Sequence, residues 1–457
     1  VTLGSRAPLW QLDAALDRLL TAEREDPVRA TRSPEDLRAE LGDLRPPAHG
    51  RPDHEVLAAL ERLIRLSPAT CSPRFFNLLF AGRIPAAAAA DMLAAFANHT
   101  MHTFKVAGPM VLVEAELLEH MLEIVGFAEG EGSFAPGGSL SNLLAMAIAR
   151  NHAQPEALDH GCAGARARIY SSAEDHYSIA KNAGLLGIGR ANVVPIEVDD
   201  RGRMRVDALH HAIAEDRARG YLPAMINATA GTTVRGEFDP IDALAELAAE
   251  LDLWLHVDAC LGGALLLSPD ARHHLQGIER VDSLTWDAHK MMGVPVTCSA
   301  LLLRDRGHLA RNLDVAANYL FQADGALNPG RRSLQCGRRN DALKLWAAWQ
   351  SLGDEGYAAR VDRQLALTRH AAAHIQAAPD LDLYQPPAST NVCFTHRRAT
   401  PQALTAALRE QQRALVSHAQ IGPTPVIRLA CLDPDIDDTD IDTFFAELDT
   451  VAAALPT

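Results

Sequence analysis

Between Leu112 and about Cys336 the chain repeats one rhythm, a short apolar run ending in polar residues and then a helical stretch. The runs are Ala167–Ser171, Asn192–Val198, Pro223–Thr229, Leu253–Ala259, Ser283–Trp286 and Thr297–Leu303. Runs this short and apolar, alternating with helices, predict βαβ units and a mainly parallel sheet with helices on both faces. Residues 1–104 read differently, as helices joined by polar, proline-bearing links, with apolar three-to-four spacing in Trp10–Glu25 and His54–Leu66. After Asn340 come long helical patterns, a strand-like Asn391–Thr395, a helix Pro401–Gln412, a strand-like Val426–Cys431 and a last helix. The expected organisation is an N-terminal helical segment (1–104), a large α/β domain (105–345) and a small α+β domain (346–457).

Charge narrows the partners. Lys+Arg 43 against Asp+Glu 58 leaves −15 with no basic run, which argues against nucleic acid and against an anionic membrane. An anionic substrate would have to be held by a few well-placed cations. The seven cysteines are scattered without a Cys-x-x-Cys pair, so neither a disulfide framework nor a metal site is expected, and a reduced cytoplasm fits. The first twenty residues lack the apolar core of a secretory leader. The most apolar stretches, Pro85–Ala97 and Val294–Leu303, are too short to span a bilayer. A soluble protein is expected.

Parallel sheets bind ligands at the carboxyl ends of their strands. Leu253–Val257 runs into Asp258, and Ser283–Trp286 into Asp287-Ala288-His289-Lys290. Alone, Asp258 is equally a loop cap, and Lys290 is more often a solvated surface residue. Together they suit pyridoxal phosphate (PLP). A lysine can tether its aldehyde, and a partly dry site is expected to lower that amine's pKa. A carboxylate can keep the pyridine nitrogen protonated. Phe134–Asn142, with Gly137-Gly138-Ser139-Leu140-Ser141, opens a helix whose N-terminus favours a phosphate. His176 follows another strand; by itself it would be an ordinary loop histidine.

These stretches resemble the group II PLP-dependent amino-acid decarboxylases of fold type I, in particular the glutamate and cysteine-sulfinate branch. Further likeness lies in Ser72–Asn77, His176–Ile179, Asn227–Thr233, Phe238–Ile241, His289–Val294, Tyr319–Gln322 and Gln335–Arg338, in order along the chain. The resemblance implies that Lys290 forms the Schiff base, Asp258 faces the pyridine nitrogen and His176 stacks on the ring. It implies that Ser139, the Leu140 backbone and Ser141 hold the phosphate with His289 nearby, and that Thr229 lines the cofactor. Arg428 would pair with the substrate α-carboxylate; otherwise it is a solvent-facing arginine of an edge strand. A homodimer with shared active sites and a swapped N-terminal segment is implied as well.

Four places depart from the pattern. Leu78 and Phe80 stand where the glutamate type has Gln and Ser, and the larger ring would shorten the pocket; each could equally be a core residue. Lys105 replaces an acidic residue, unless it is simply a surface charge. A short acidic substrate then fits: aspartate, cysteine sulfinate, cysteate or a phosphonate analogue. The interval Ala323–Leu334 lacks the tyrosine that protonates the substrate carbon in the family, and Leu327 falls near its place. Another donor such as His176 would have to act, or the quinonoid is diverted into oxidative deamination or carbon–carbon bond formation. Finally, Cys260-Leu261-Gly262-Gly263 stands where the branch has Ala-Trp, and His256–Gly263 resembles the sphingosine-phosphate lyase relatives, which leaves a Cα–Cβ lyase as an alternative, with Cys260 read as a small buried hydrophobe. A PLP-binding protein without turnover is the remaining possibility.

Overall fold

A computed structural model describes residues 7–25, 28–29, 32–80, 82–162, 166–315 and 327–455. Its strands are β1 Phe75–Phe76, β2 Glu131–Ala135, β3 Ala167–Ser172, β4 Val193–Ile196, β5 Leu222–Thr229, β6 Trp254–Asp258, β7 Ser283–Asp287, β8 Ser299–Leu303, β9 Leu381–Leu383, β10 Asn391–His396, β11 Leu415–Ile421 and β12 Thr424–Ala430. The chain divides into two compact units. One comprises Leu79–Arg369 with Gln385–Asn391, the other Val1–Leu78, His370–Tyr384 and Val392–Thr457.

The larger unit is built on a seven-stranded sheet in the order β2-β8-β7-β6-β5-β3-β4. Strands β7, β6, β5, β3 and β4 are mutually parallel, whereas β8 runs antiparallel to both β2 and β7. The expected mainly parallel α/β sheet is therefore present. β5, β6 and β7 are buried almost end to end, as a sheet covered on both faces requires. The helix Gly138–Ala153 turns Leu144, Ala145, Met146, Ile148 and Ala149 into one core with Ile169, Met225, Trp254, Leu301 and Leu303. Its start is sharp because Gly137 takes φ 96°, a conformation a side chain rarely tolerates.

Register fixes what meets at the carboxyl edge. Thr229 of β5 lies beside Asp258 of β6, and Asp258 beside Thr285 of β7, two residues before Asp287. The chain thus brings three polar strand ends together from positions far apart in sequence.

The second unit carries the sheet β1-β11-β12-β10-β9. β12 lies between β11 and β10, and Arg428 pairs across with Ser417. Arg428 is buried, not a solvent-facing edge residue. Its Nε donates to Ser417 Oγ at 3.0 Å, and a terminal nitrogen donates to the Asn77 carbonyl at 2.6 Å. Burial pushes the guanidinium pKa down.

Candidate active site

A cavity of about 300 Å³ opens at the carboxyl ends of β5, β6 and β7. Among the residues lining it are Gly138, Ser139, His176, Thr229, Asp258, His289 and Lys290. Six of the residues singled out in the sequence thus share one space: Ser139, His176, Thr229, Asp258, His289 and Lys290.

Asp258 is held from two sides. Its Oδ2 accepts from Asn142 Nδ2 at 2.7 Å and its Oδ1 from the Cys260 amide at 3.1 Å. The second bond is a loop cap, one of the two readings of Asp258. Burial raises its pKa, but Lys290 and the Cys260 hydrogen bond more than offset that, and the net direction is down. Asp258 is therefore anionic near neutrality.

Lys290 follows Asp287 by one turn, with Nζ 3.7 Å from Asp287 Oδ2. The expectation of a lowered amine pKa is corrected here. Burial does push it down, but the Asp287 and Asp258 carboxylates oppose burial, and the net shift is upward. The chain alone keeps this amine protonated.

His176 is the opposite case. Burial lowers its pKa against the pull of Asp258. Its Nδ1 lies 2.8 Å from Ser178 Oγ and receives the Ser178 amide at 3.4 Å, which leaves Nε2 to carry the ring proton. His289 Nδ1 lies 2.8 Å from the Cys298 carbonyl, with Nε2 3.5 Å from Asp287 Oδ2.

The phosphate-binding expectation resolves unevenly. Ser139 lines the cavity, whereas Leu140 and Ser141 do not. The amides of Leu140 and Ser141 both turn to the Gly137 carbonyl, and Ser141 Oγ sits 2.7 Å from Ser299 Oγ on β8. Phe80 is half-buried in the same unit and does not line the cavity. Leu78, 48% exposed, belongs to the other unit with Arg428, and Lys105 is exposed. The tyrosine-free interval lies outside the described residues up to Ala326. Leu327 is described and lines a separate cavity with Glu114, Glu131 and Arg332.

Three residues with a place in the site stood inside motifs named from the sequence without an individual role. Gly138 is one: a β-carbon there would stand 2.2 Å from Cys260 Sγ and 2.8 Å from Asp287 Oδ2, so only glycine lets the helix start close on β6 and β7. Asn142 and Asp287 are the others, and the Gly-Gly-Ser helix start and the run before Lys290 were the signals for them. Cys260 is buried, and burial with Asp258 and Asp287 raises its thiol pKa well above the ordinary value, as a packing residue would show.

The donor set fits PLP. The Thr229 hydroxyl is buried in the cavity wall without a partner, and a glycine cradle at a helix N-terminus faces an amine, a fixed carboxylate and a neutral imidazole. Fold and site define a PLP enzyme of fold type I. The chain belongs to the pyridoxal-dependent decarboxylase family, whose conserved domain matches residues 34–397. PLP is its cofactor and amino-acid decarboxylation its reaction class; the family and the decarboxylase relatives decide against the Cα–Cβ lyase alternative.

Among its relatives, cysteine sulfinic acid decarboxylase of Mus musculus is 40% identical over 369 residues, 79% of this chain and 75% of that protein. Acidic amino acid decarboxylase GADL1 of Bos taurus is 41% identical over 369 residues, covering 79% and 71%. The crystal structure of mouse CSAD in apo form superposes with a TM-score of 0.91 at 34% identity, over 97% of this chain and 99% of that one. Among the described residues, no helix is long and apolar enough to cross a membrane.

Proposed function

We propose that the protein removes the α-carboxyl group of a small acidic L-amino acid, releasing CO2 and the amine. The substrate is aspartate, cysteine sulfinate, cysteate or a phosphonate analogue. The observation that carries this reading is one cavity holding Lys290, Asp258 and His176 in a chain similar to cysteine sulfinic acid and acidic amino acid decarboxylases.

When bound, PLP supplies an electron sink for the pair left behind by the departing carboxylate. Lys290 supplies the amine that tethers it. Asp258 holds a proton at the ring nitrogen, and Thr229 offers its hydroxyl. Ser139 takes the phosphate at the helix start with His289 beside it, and the Leu140 backbone and Ser141, which turn to Gly137 and Ser299, would have to exchange those bonds to join it. His176 contributes a flat ring, and in its imidazolium form, which returns to the neutral ring on giving up a proton, it would be the donor to the substrate carbon in place of the missing tyrosine. Arg428 grips the α-carboxylate bidentately and fixes its plane, which selects the bond to the carboxylate over the bond to the α-hydrogen. Leu78 and Phe80 would shorten the side-chain pocket only if the working form brings them to the cavity, which neither lines in this chain alone.

The working form is a cytoplasmic homodimer with shared active sites, in which segment 1–104 wraps the partner. In support, the helix Asp53–Arg65 leaves Val56, Leu60, Leu63 and Ile64 between 38% and 50% exposed, an apolar face that a second copy would cover.

The test is a substrate panel. Protein loaded with PLP is given aspartate, cysteine sulfinate, cysteate, phosphonoalanine and glutamate while CO2, amine and ammonia are measured. Equal CO2 and amine from one short acidic substrate is expected, with none in Lys290→Ala. Turnover of glutamate alone would sink the substrate assignment. The tyrosine-free interval favours a second reading, in which CO2 forms with less than one amine, and ammonia, aldehyde and peroxide make up the difference.

A further inference from the structure

Behind the cavity runs a line of five buried polar side chains: Trp254, Ser283, His256, Asn142 and Asp258. Trp254 Nε1 lies 2.9 Å from Ser283 Oγ, and Ser283 Oγ 2.8 Å from His256 Nδ1. His256 Nε2 lies 3.1 Å from Asn142 Oδ1, and Asn142 Nδ2 2.7 Å from Asp258 Oδ2. Tryptophan and serine come from the starts of β6 and β7, histidine from mid-β6, and asparagine from the first turns of the helix Gly138–Ala153.

The two ends dictate every proton between them. An ionised carboxylate only accepts, so Asn142 must turn its amide group to Asp258 and its carbonyl to His256. That carbonyl needs a donor, so Nε2 of His256 carries the ring proton. Burial holds this histidine neutral, its pKa down to about 4, so Nδ1 is bare and must accept the Ser283 hydroxyl. The serine oxygen in turn takes the indole N–H of Trp254, which can only donate. Thr285 Oγ1, 3.4 Å from Nε2, is a weaker second neighbour.

We infer that this one-way chain positions Asp258, with His256 and Asn142 as positioning residues that keep its carboxylate anionic and aimed at the cofactor's ring nitrogen. The inference rests on the proposed role of Asp258. Asn142 also sits on the helix whose start cradles the phosphate, so a single side chain ties the two ends of the cofactor site together.

The test reads the ring nitrogen directly. Holoenzyme is prepared with 15N-labelled PLP, and the 15N shift reports whether that nitrogen is protonated. Asp258→Asn comes first, and it must move the shift toward the unprotonated position; if it does not, the role of Asp258 itself fails. With that established, His256→Phe fills the space but breaks the chain. It is expected to move the shift in the same direction and lower kcat by about tenfold to hundredfold with little change in KM. His256→Gln can accept at one end and donate at the other, and is expected to restore most of both. Should His256→Phe not fold, Ser283→Ala gives the same reading with a smaller shift. A folded variant with the wild-type 15N shift, or a glutamine no better than phenylalanine, would overturn the chain.

Discussion

Lys290 works against its surroundings. Burial favours the neutral amine, yet Asp287 and Asp258 hold the proton on it. Asp287 stands 3.7 Å away, so Asp287→Asn removes one of those opposing charges. The expected result is that PLP capture by the apo-protein, followed by absorbance, has its midpoint at lower pH than in the wild type. An unmoved midpoint would remove Asp287 from the cause. His176 invites a different measurement. His176→Phe keeps a ring but loses the Nε2 proton, so amine yield per CO2 is expected to fall below one, with amine formation slowed by about a hundredfold. At this scale the strand-end residues were legible, because Asp258, Lys290 and His176 each follow an apolar run. His256, Ser283 and Asn142 were not, because nothing in a single sequence says which polar residues of adjacent strands share a register.

The helix Gly138–Ala153 is the element on which the site depends, since its start carries the cradle and its fifth residue reaches Asp258. Gly138→Ala forces a carbon into a space already closed, an overpacking that costs about 1–3 kcal/mol. If the strain falls on the cofactor site, PLP affinity drops about tenfold to hundredfold, measurable by fluorescence titration. β6 supplies a second prediction through His256. Its pKa is lowered in the folded state to about 4, so the unfolded chain binds its proton first. That contribution is complete above about pH 6.5 and is lost as pH falls toward 4, by about 3 kcal/mol at most. Compared with His256→Phe, which cannot titrate, the wild type should lose that much more stability to urea across this window. Among elements, the parallel strands were readable from their apolar runs. β2 and β11 were not: Glu131-Gly132-Ser133 and Ser417-His418-Ala419-Gln420 lack the β-branched run that marks a strand, and pairing with β8 and β12 makes them strands.

Taken whole, the molecule carries −15, which makes the few inward cations matter. The cofactor cavity lies in one of the two compact units and Arg428 in the other. The sequence could not show the unit boundaries, because the second unit gathers three separate stretches of chain. The exposed apolar face of Asp53–Arg65 belongs to this scale. If the proposed homodimer forms, Leu60→Glu with Ile64→Glu is expected to give monomers in sedimentation and to abolish decarboxylation; a fully active monomer would end the shared-site reading. The closeness of Gly138 to Cys260 has a consequence for descent. A β-carbon at 138 collides with the sulfur at 260 and with the Asp287 carboxylate as well, so the three positions are tied in space. A lineage reaching a larger residue at 138 must make room at both of the others, and a change at 260 alone does not open the way.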